Sequence, residues 1–419
     1  MARSWVALGL GVLVACSGDD GATISPPDAA LDASAEAAPD VQEAAIEAAP
    51  DVPPLPPLSP GARMPGLDYL GGALLTSMKV VTVTFASDNP AVVARLQLFG
   101  DTITQTPWWT DTTSEYCVLP KGSPCIGPGS NGGHVVLNEA PPANLVDTED
   151  GTGSTVVQFI QDHVNLGLFP PPDEQTVYQI WFPSGTTIKF DKLTSCSGFG
   201  AYHYSASLLP KGGVQYVETA YAIEPRCSGE PFLTVAGSHE LLEAATDPHP
   251  GKDQGWVMQD FGWLYYGGEN GDVCDYPWGF ETMVESTFSV QRGWSNKSAR
   301  SGHAPCVTQP KSEVYFNASV EAGKQTLWLA VGESKTIDLD PYADGTAVDW
   351  TLSAEDISSR IGGNASLGFA FDKTTVNAGQ KVKLTITLKS QPSKSVAPYV
   401  IHSQSSAGHH WWGAEVRSK

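Results

Sequence analysis

The stretch Ala236-Gly-Ser-His-Glu-Leu-Leu-Glu-Ala-Ala-Thr-Asp-Pro248 constrains this chain more than any other. Leu241 to Ala245 are helix formers, and Pro248 ends the run because the residue before a proline is pushed out of the helical region. Residues four apart on a helix share a face, so His239 and Glu243 reach one metal ion together. Glu240 lies beside that face. The pattern is H-E-x-x-E, the zincin signature H-E-x-x-H with glutamate in place of its second histidine. Imidazole nitrogen and carboxylate oxygen both ligate zinc, and a glutamate next to the pair is placed to hold a water and take its proton.

A zinc site needs a third protein ligand. His249 stands ten residues after His239, the metzincin spacing, but Thr246 replaces the glycine that lets the chain reverse there. Asp247 is nearer and shares the helix end. Glu269 and Asp272, in Gly267-Gly-Glu-Asn-Gly-Asp-Val-Cys274, come later, as the downstream glutamate of gluzincins does. His203, between Tyr202 and Tyr204, is a candidate to steady an oxyanion.

The flanks set the compartment. Met1 to Ala15 carries one arginine and a short apolar run, too short for a membrane span and fit for an export signal. Leu13-Val14-Ala15-Cys16 resembles a bacterial lipobox, so residues 1–16 read as a lipoprotein signal with Cys16 as the lipidated end. Residues 17–65 are rich in Ala, Asp, Glu and Pro, with six prolines between Pro50 and Pro60. Such a segment buries too little apolar surface to order itself and serves as a tether. The net charge of −22 argues against nucleic acid, which calls for a basic footprint. The membrane is expected as a partner through Cys16 alone.

With Cys16 lipidated, six of the seven cysteines remain: Cys117, Cys125, Cys196, Cys227, Cys274 and Cys306. In an exported chain they are expected to pair, and neighbour pairing gives 117–125, 196–227 and 274–306. Two domains follow the tether. Residues 66–308 mix strands (Val80–Phe85, Val177–Phe182) with helices (Asn89–Leu98, Ser154–Leu168), which predicts an α+β, zincin-like or mixed α/β fold. Residues 311–419 hold eight short strand candidates and no helix, the pattern of an immunoglobulin-like β-sandwich. His409 and His410 beside Trp411 and Trp412 read there as a terminal strand with an aromatic core contact.

Several motifs together carry a resemblance: Tyr69-Leu-Gly-Gly72, His239-Glu-Leu-Leu-Glu243 with Thr246-Asp-Pro248, Trp256, Glu269-Asn-Gly-Asp-Val-Cys274 and Trp294-Ser-Asn296. Over residues 66–307 the chain resembles the EXORDIUM-like (phosphate-induced) proteins and their bacterial relatives, with Asn270 where that family has isoleucine. The resemblance implies an extracellular protein. It also favours Glu269 or Asp272 over His249 as the third ligand, because the two motifs travel together in the family. The expectation is an exported, zinc-dependent, metallopeptidase-like hydrolase acting on a peptide or cell-wall substrate. The competing expectation is a surface binding or structural protein. The tryptophans and tyrosines (Trp108, Trp109, Trp256, Trp263, Tyr265, Tyr266, Trp278, Trp294) suit a peptide or carbohydrate surface as well as a core.

Overall fold

The computed structural model describes residues 64–419, apart from 121, 230, 261, 264–267, 277–278, 281, 310–312 and 346–348. The signal, lipobox and nearly all of the tether lie outside the described residues, as do Tyr265, Tyr266 and Trp278.

The first module is built on a five-stranded sheet. Its strands are β1 (Lys79–Phe85), β2 (Ser130–Leu137), β3 (Thr176–Trp181), β4 (Tyr202–Leu208) and β5 (Val217–Glu224), in the order β2-β1-β3-β5-β4. All neighbours are parallel except the edge strand β4, which runs antiparallel to β5. Both faces are covered, so β1 and β3 read as near-continuous buried runs instead of alternating ones. Helix α1 (Pro90–Thr102) covers one face after Asn89 caps the Ala91 N–H. Helix α3 (Thr155–Leu166) covers the other face, with Ser154 capping Val157 and Gly167 closing its end at φ 77°. Between them α2 (Pro107–Thr113) is a helix the sequence reading did not find. It buries Trp108 and Trp109 completely.

Helix α4 (Phe232–Thr246) carries the signature and lies on the α1 face. Every residue from Leu233 to Thr246 is buried, so this helix has no solvent face at all. A Cβ at Gly237 would fall 2.6 Å from the Trp181 ring, so glycine lets α4 seat directly on β3. A short hairpin, β6 (Thr282–Glu285) and β7 (Phe288–Gln291), packs along the helix.

The tail is a β-sandwich. Strands β8 (Phe316–Val320), β9 (Thr326–Leu329), β10 (Ser334–Ala343), β11 (Trp350–Asp356), β12 (Leu367–Phe371), β13 (Thr375–Val376), β14 (Val382–Leu388), β15 (Val396–Ser405) and β16 (Gly408–Ser418) form two sheets, β8-β10-β14-β12 and β9-β16-β15-β11-β13. Ring pairs close the space between the sheets: Phe316 with Trp350 at 5.2 Å and Phe369 with Tyr399 at 5.5 Å.

The two modules share one apolar core. Trp263 of the first module stacks within 4.4 Å of Trp411 and 5.6 Å of Trp412, with Trp294 at 5.4 Å behind it. Arg292 pairs with Glu313 at 2.6 Å alongside. The described tryptophans expected to serve a binding surface as readily as a core are core: Trp108, Trp109, Trp263 and Trp294 are at most 1% exposed and Trp256 is 9% exposed. Their large apolar area is what the module contact and the α2 packing bury.

The three disulfides pair as neighbours in sequence: Cys117–Cys125, Cys196–Cys227 and Cys274–Cys306. Bridges of this kind belong to an oxidising compartment. Among the described residues no helix is long and apolar enough to cross a membrane.

Candidate metal centre

Four elements bring polar side chains to one buried point. From α4 come His239, Glu240 and Glu243; from β4 comes His203; from the segment 269–275 come Glu269 and Asp272; from β7 comes Gln291. None of the candidate donors His203, His239, Glu240, Glu243, Glu269 and Asp272 is more than 5% exposed. A Cβ at Gly271 would lie 2.8 Å from His239 Nδ1 and 2.9 Å from Glu243 Oε1. Glycine there lets the acidic segment pass against the helix and leaves the space between the donors clear.

Two groups of donor atoms lie close enough to share a cation: His239, Glu243 and Asp272, and His203, Glu240 and Glu243. In the first, His239 Nε2 is 3.0 Å from Glu243 Oε1 and 3.7 Å from Asp272 Oδ1. In the second, His203 Nδ1 is 3.5 Å from Glu240 Oε2 and 3.4 Å from Glu243 Oε2. Ligands about 2.1 Å from a tetrahedral zinc stand roughly 3.4 Å apart. Three of the four separations exceed the 2.7–3.2 Å of an N–H···O hydrogen bond and sit close to that edge length.

Hydrogen bonding fixes the ring tautomers. Gln291 Nε2 donates to the Gly271 carbonyl at 2.6 Å, which orients its amide, and its Oε1 then accepts from His239 Nδ1 at 2.8 Å. Nδ1 is thus a donor, and Nε2 faces carboxylate oxygens. His203 repeats the arrangement, since its Nε2 lies 3.0 Å from the Asp247 carbonyl, which can only accept. Its Nδ1 faces Glu240 and Glu243. Each of these ring nitrogens needs a proton or a cation between it and the carboxylates it faces. Asp272 Oδ1 is buried and accepts no hydrogen bond among the described residues. The donor set therefore fits a divalent cation of the zinc type, with mixed nitrogen and oxygen ligands.

Charge bears on the same point. Burial opposes protonation of both rings, yet the surrounding carboxylates hold His203 and His239 well above the usual imidazole value. Burial pushes Glu243 up, but His239 and His203 pull it down to about 2. Burial drives Glu269, Asp272 and Glu224 well above the carboxylate range and Asp275 to about 7. Glu240 is raised by burial and partly relieved by His203. Burial raises Asp247 as well, relieved in part by the Gly255 N–H and by His203.

The residues singled out from sequence divide accordingly. His239, Glu243 and Asp272 come together, with Glu240 and His203 across Glu243. His203 faces two carboxylates, a donor's position and not one turned toward a free cleft. Glu269 stands one step back, its Oε1 3.7 Å from His203 Nε2. His249 belongs to neither donor group, because the chain leaves the helix at Asp247 and His249 opens a turn closed by the Lys252 and Asp253 N–H groups. Gln291, Glu224 and Gln179 escaped the sequence reading. Glu224 ends an apolar strand and accepts from Gln179 at 3.0 Å, while Gln291 lies 52 residues from its partner His239. A charged residue closing the apolar end of β5 is a legible signal; a lone glutamine is not.

The other motifs behind the resemblance frame the centre. Asn296 clasps the Leu67 backbone through both its amide atoms at 2.6 and 2.9 Å. Asn270 Oδ1 accepts from the Trp294 N–H at 2.8 Å, and Tyr69 pairs with Trp256 in register.

No family model matches the chain, and no curated protein matches it. Among solved structures the chain is similar to a chimeric titin Z1Z2 functionalised with a KLER exogenous peptide from decorin, at 12% identity over 26% of this chain and 98% of that one, with a TM-score of 0.17. It is similar also to the BIgI domain of beta protein from S. agalactiae bound to CEACAM1, at 8% identity over 26% and 97% of the two chains, with a TM-score of 0.16.

Proposed function

We propose that the protein is an exported, lipid-anchored, zinc-dependent hydrolase of the metallopeptidase-like kind, acting on a peptide or cell-wall substrate. The observation that carries this reading is His239 Nε2 facing both Glu243 Oε1, at 3.0 Å, and an Asp272 Oδ1 that accepts no hydrogen bond among the described residues. His239, Glu243 and Asp272 would hold the ion, with Glu269 behind them. Zinc in such a site lowers the pKa of water and polarises a carbonyl. Gln291 keeps His239 Nε2 turned toward Glu243 and Asp272. Glu240, raised by burial, accepts the proton of the attacking water, with His203 Nδ1 3.5 Å from its Oε2. The zincin-like character of the first module and the likeness to EXORDIUM-like proteins are parts of the same proposal.

One observation favours a second reading, a non-catalytic surface protein with a structural ion: the donors are all buried. The Glu240→Gln variant separates the two. A hydrolase keeps the ion at His239 and loses turnover on a peptide and peptidoglycan panel. A structural site is indifferent to the change, and a wild-type protein inert on the whole panel supports that second reading.

A further inference from the structure

We propose that the centre holds two divalent cations bridged by the carboxylate of Glu243. The inference rests on the metal reading above and extends it. Glu243 presents its two oxygens to two different rings: Oε1 to His239 Nε2 at 3.0 Å, Oε2 to His203 Nδ1 at 3.4 Å. Each ring is tied behind by a hydrogen bond to an amide oxygen, Gln291 Oε1 for His239 and the Asp247 carbonyl for His203. Such a bond orients a metal-ligating imidazole and raises its basicity. Each ring also has a second carboxylate of its own, Asp272 Oδ1 at 3.7 Å or Glu240 Oε2 at 3.5 Å. The centre is thus two matched half-sites of one imidazole and one carboxylate, joined by a shared glutamate.

Glu240 bound through Oε2 keeps its second oxygen for the proton-accepting role.

The test is a count. The chelator-stripped mature chain is saturated with Zn²⁺, and bound metal is counted by native mass spectrometry. We expect two ions per wild-type chain and one in His203→Ala. Mn²⁺ loading of the wild type, which needs no variant, should give the electron paramagnetic resonance spectrum of an exchange-coupled pair. One ion per saturated wild-type chain, an uncoupled six-line Mn²⁺ spectrum, or two ions retained by a folded His203→Ala protein would overturn the bridge and leave the single-metal reading standing. No ion in the wild type would overturn both.

Discussion

Gln291 decides which nitrogen of His239 is free, though it would never touch a substrate. Its amide is fixed by the Gly271 carbonyl, so it dictates the tautomer that aims Nε2 at Glu243. Gln291→Ala should weaken zinc binding about 10–100-fold with little change in fold, read by competition with a fluorescent chelator. Glu240→Gln should lower turnover by roughly 10²–10⁴-fold while the ion at His239 stays bound. Acidity gives a third test at this scale. Asp275 at about 7, and Glu269 and Asp272 well above their ordinary values, hold protons in the folded chain that the unfolded chain has released. The folded state then binds more protons, so stability falls as pH rises through this range. The raised imidazoles act in the same direction, since their contribution is lost as pH climbs through their folded values. The depressed Glu243 adds stability that is lost only below its unfolded value of 4.5, as pH falls toward about 2. Metal-free protein should therefore be more stable to urea at pH 5 than at pH 7.5, and saturating zinc should flatten the slope. Stability that rises over that interval without metal would contradict this picture.

At the scale of elements, α4 is unusual because a helix with a histidine, two glutamates and a closing aspartate is buried on every side. Its signature was legible because helical spacing alone places His239 and Glu243 on one face. His203 was singled out from sequence, but as an oxyanion-steadying group; its place against Glu240 and Glu243 was not legible, because β4 is the antiparallel edge strand and no local pattern brings it to α4. Strand β1, helix α3 and β14 stood close to where apolar pattern and caps put them. Helix α2 was missed because Trp, Thr and Asp are weak helix formers, and its start rests on Thr106 capping the Trp109 N–H and on Pro107. Two disulfides brace the centre: Cys196–Cys227 joins the approaches to β4 and α4, and Cys274–Cys306 holds the segment bearing Asp272. Replacing both Cys274 and Cys306 with serine should cost about 2–4 kcal/mol in denaturant unfolding. Zinc should bind more weakly as well, because Asp272 loses its anchor.

For the whole molecule, the tail sandwich is not an appendage on a string. Trp263 bridges Trp294 to Trp411 and Trp412 in one continuous core, so the modules should unfold together. Trp412→Ala should destabilise the chain by about 3–5 kcal/mol and lower a single calorimetric transition. Two separate transitions in the wild type would mean that the modules are independent. Composition and cysteine spacing made the sandwich and the bridges readable, whereas the merging of the cores depends on contacts between distant tryptophans. The proposed envelope location adds a simple check: Cys16→Ser should move the protein from the membrane to the soluble fraction. The central claim is the cation between α4 and the Glu269–Cys274 segment, and anomalous diffraction from zinc-soaked crystals tests it most directly. The account predicts an anomalous peak about 2.0–2.2 Å from His239 Nε2, Glu243 Oε1 and Asp272 Oδ1; a well-ordered site with no peak there, its carboxyls closed on one another by hydrogen bonds, would contradict it.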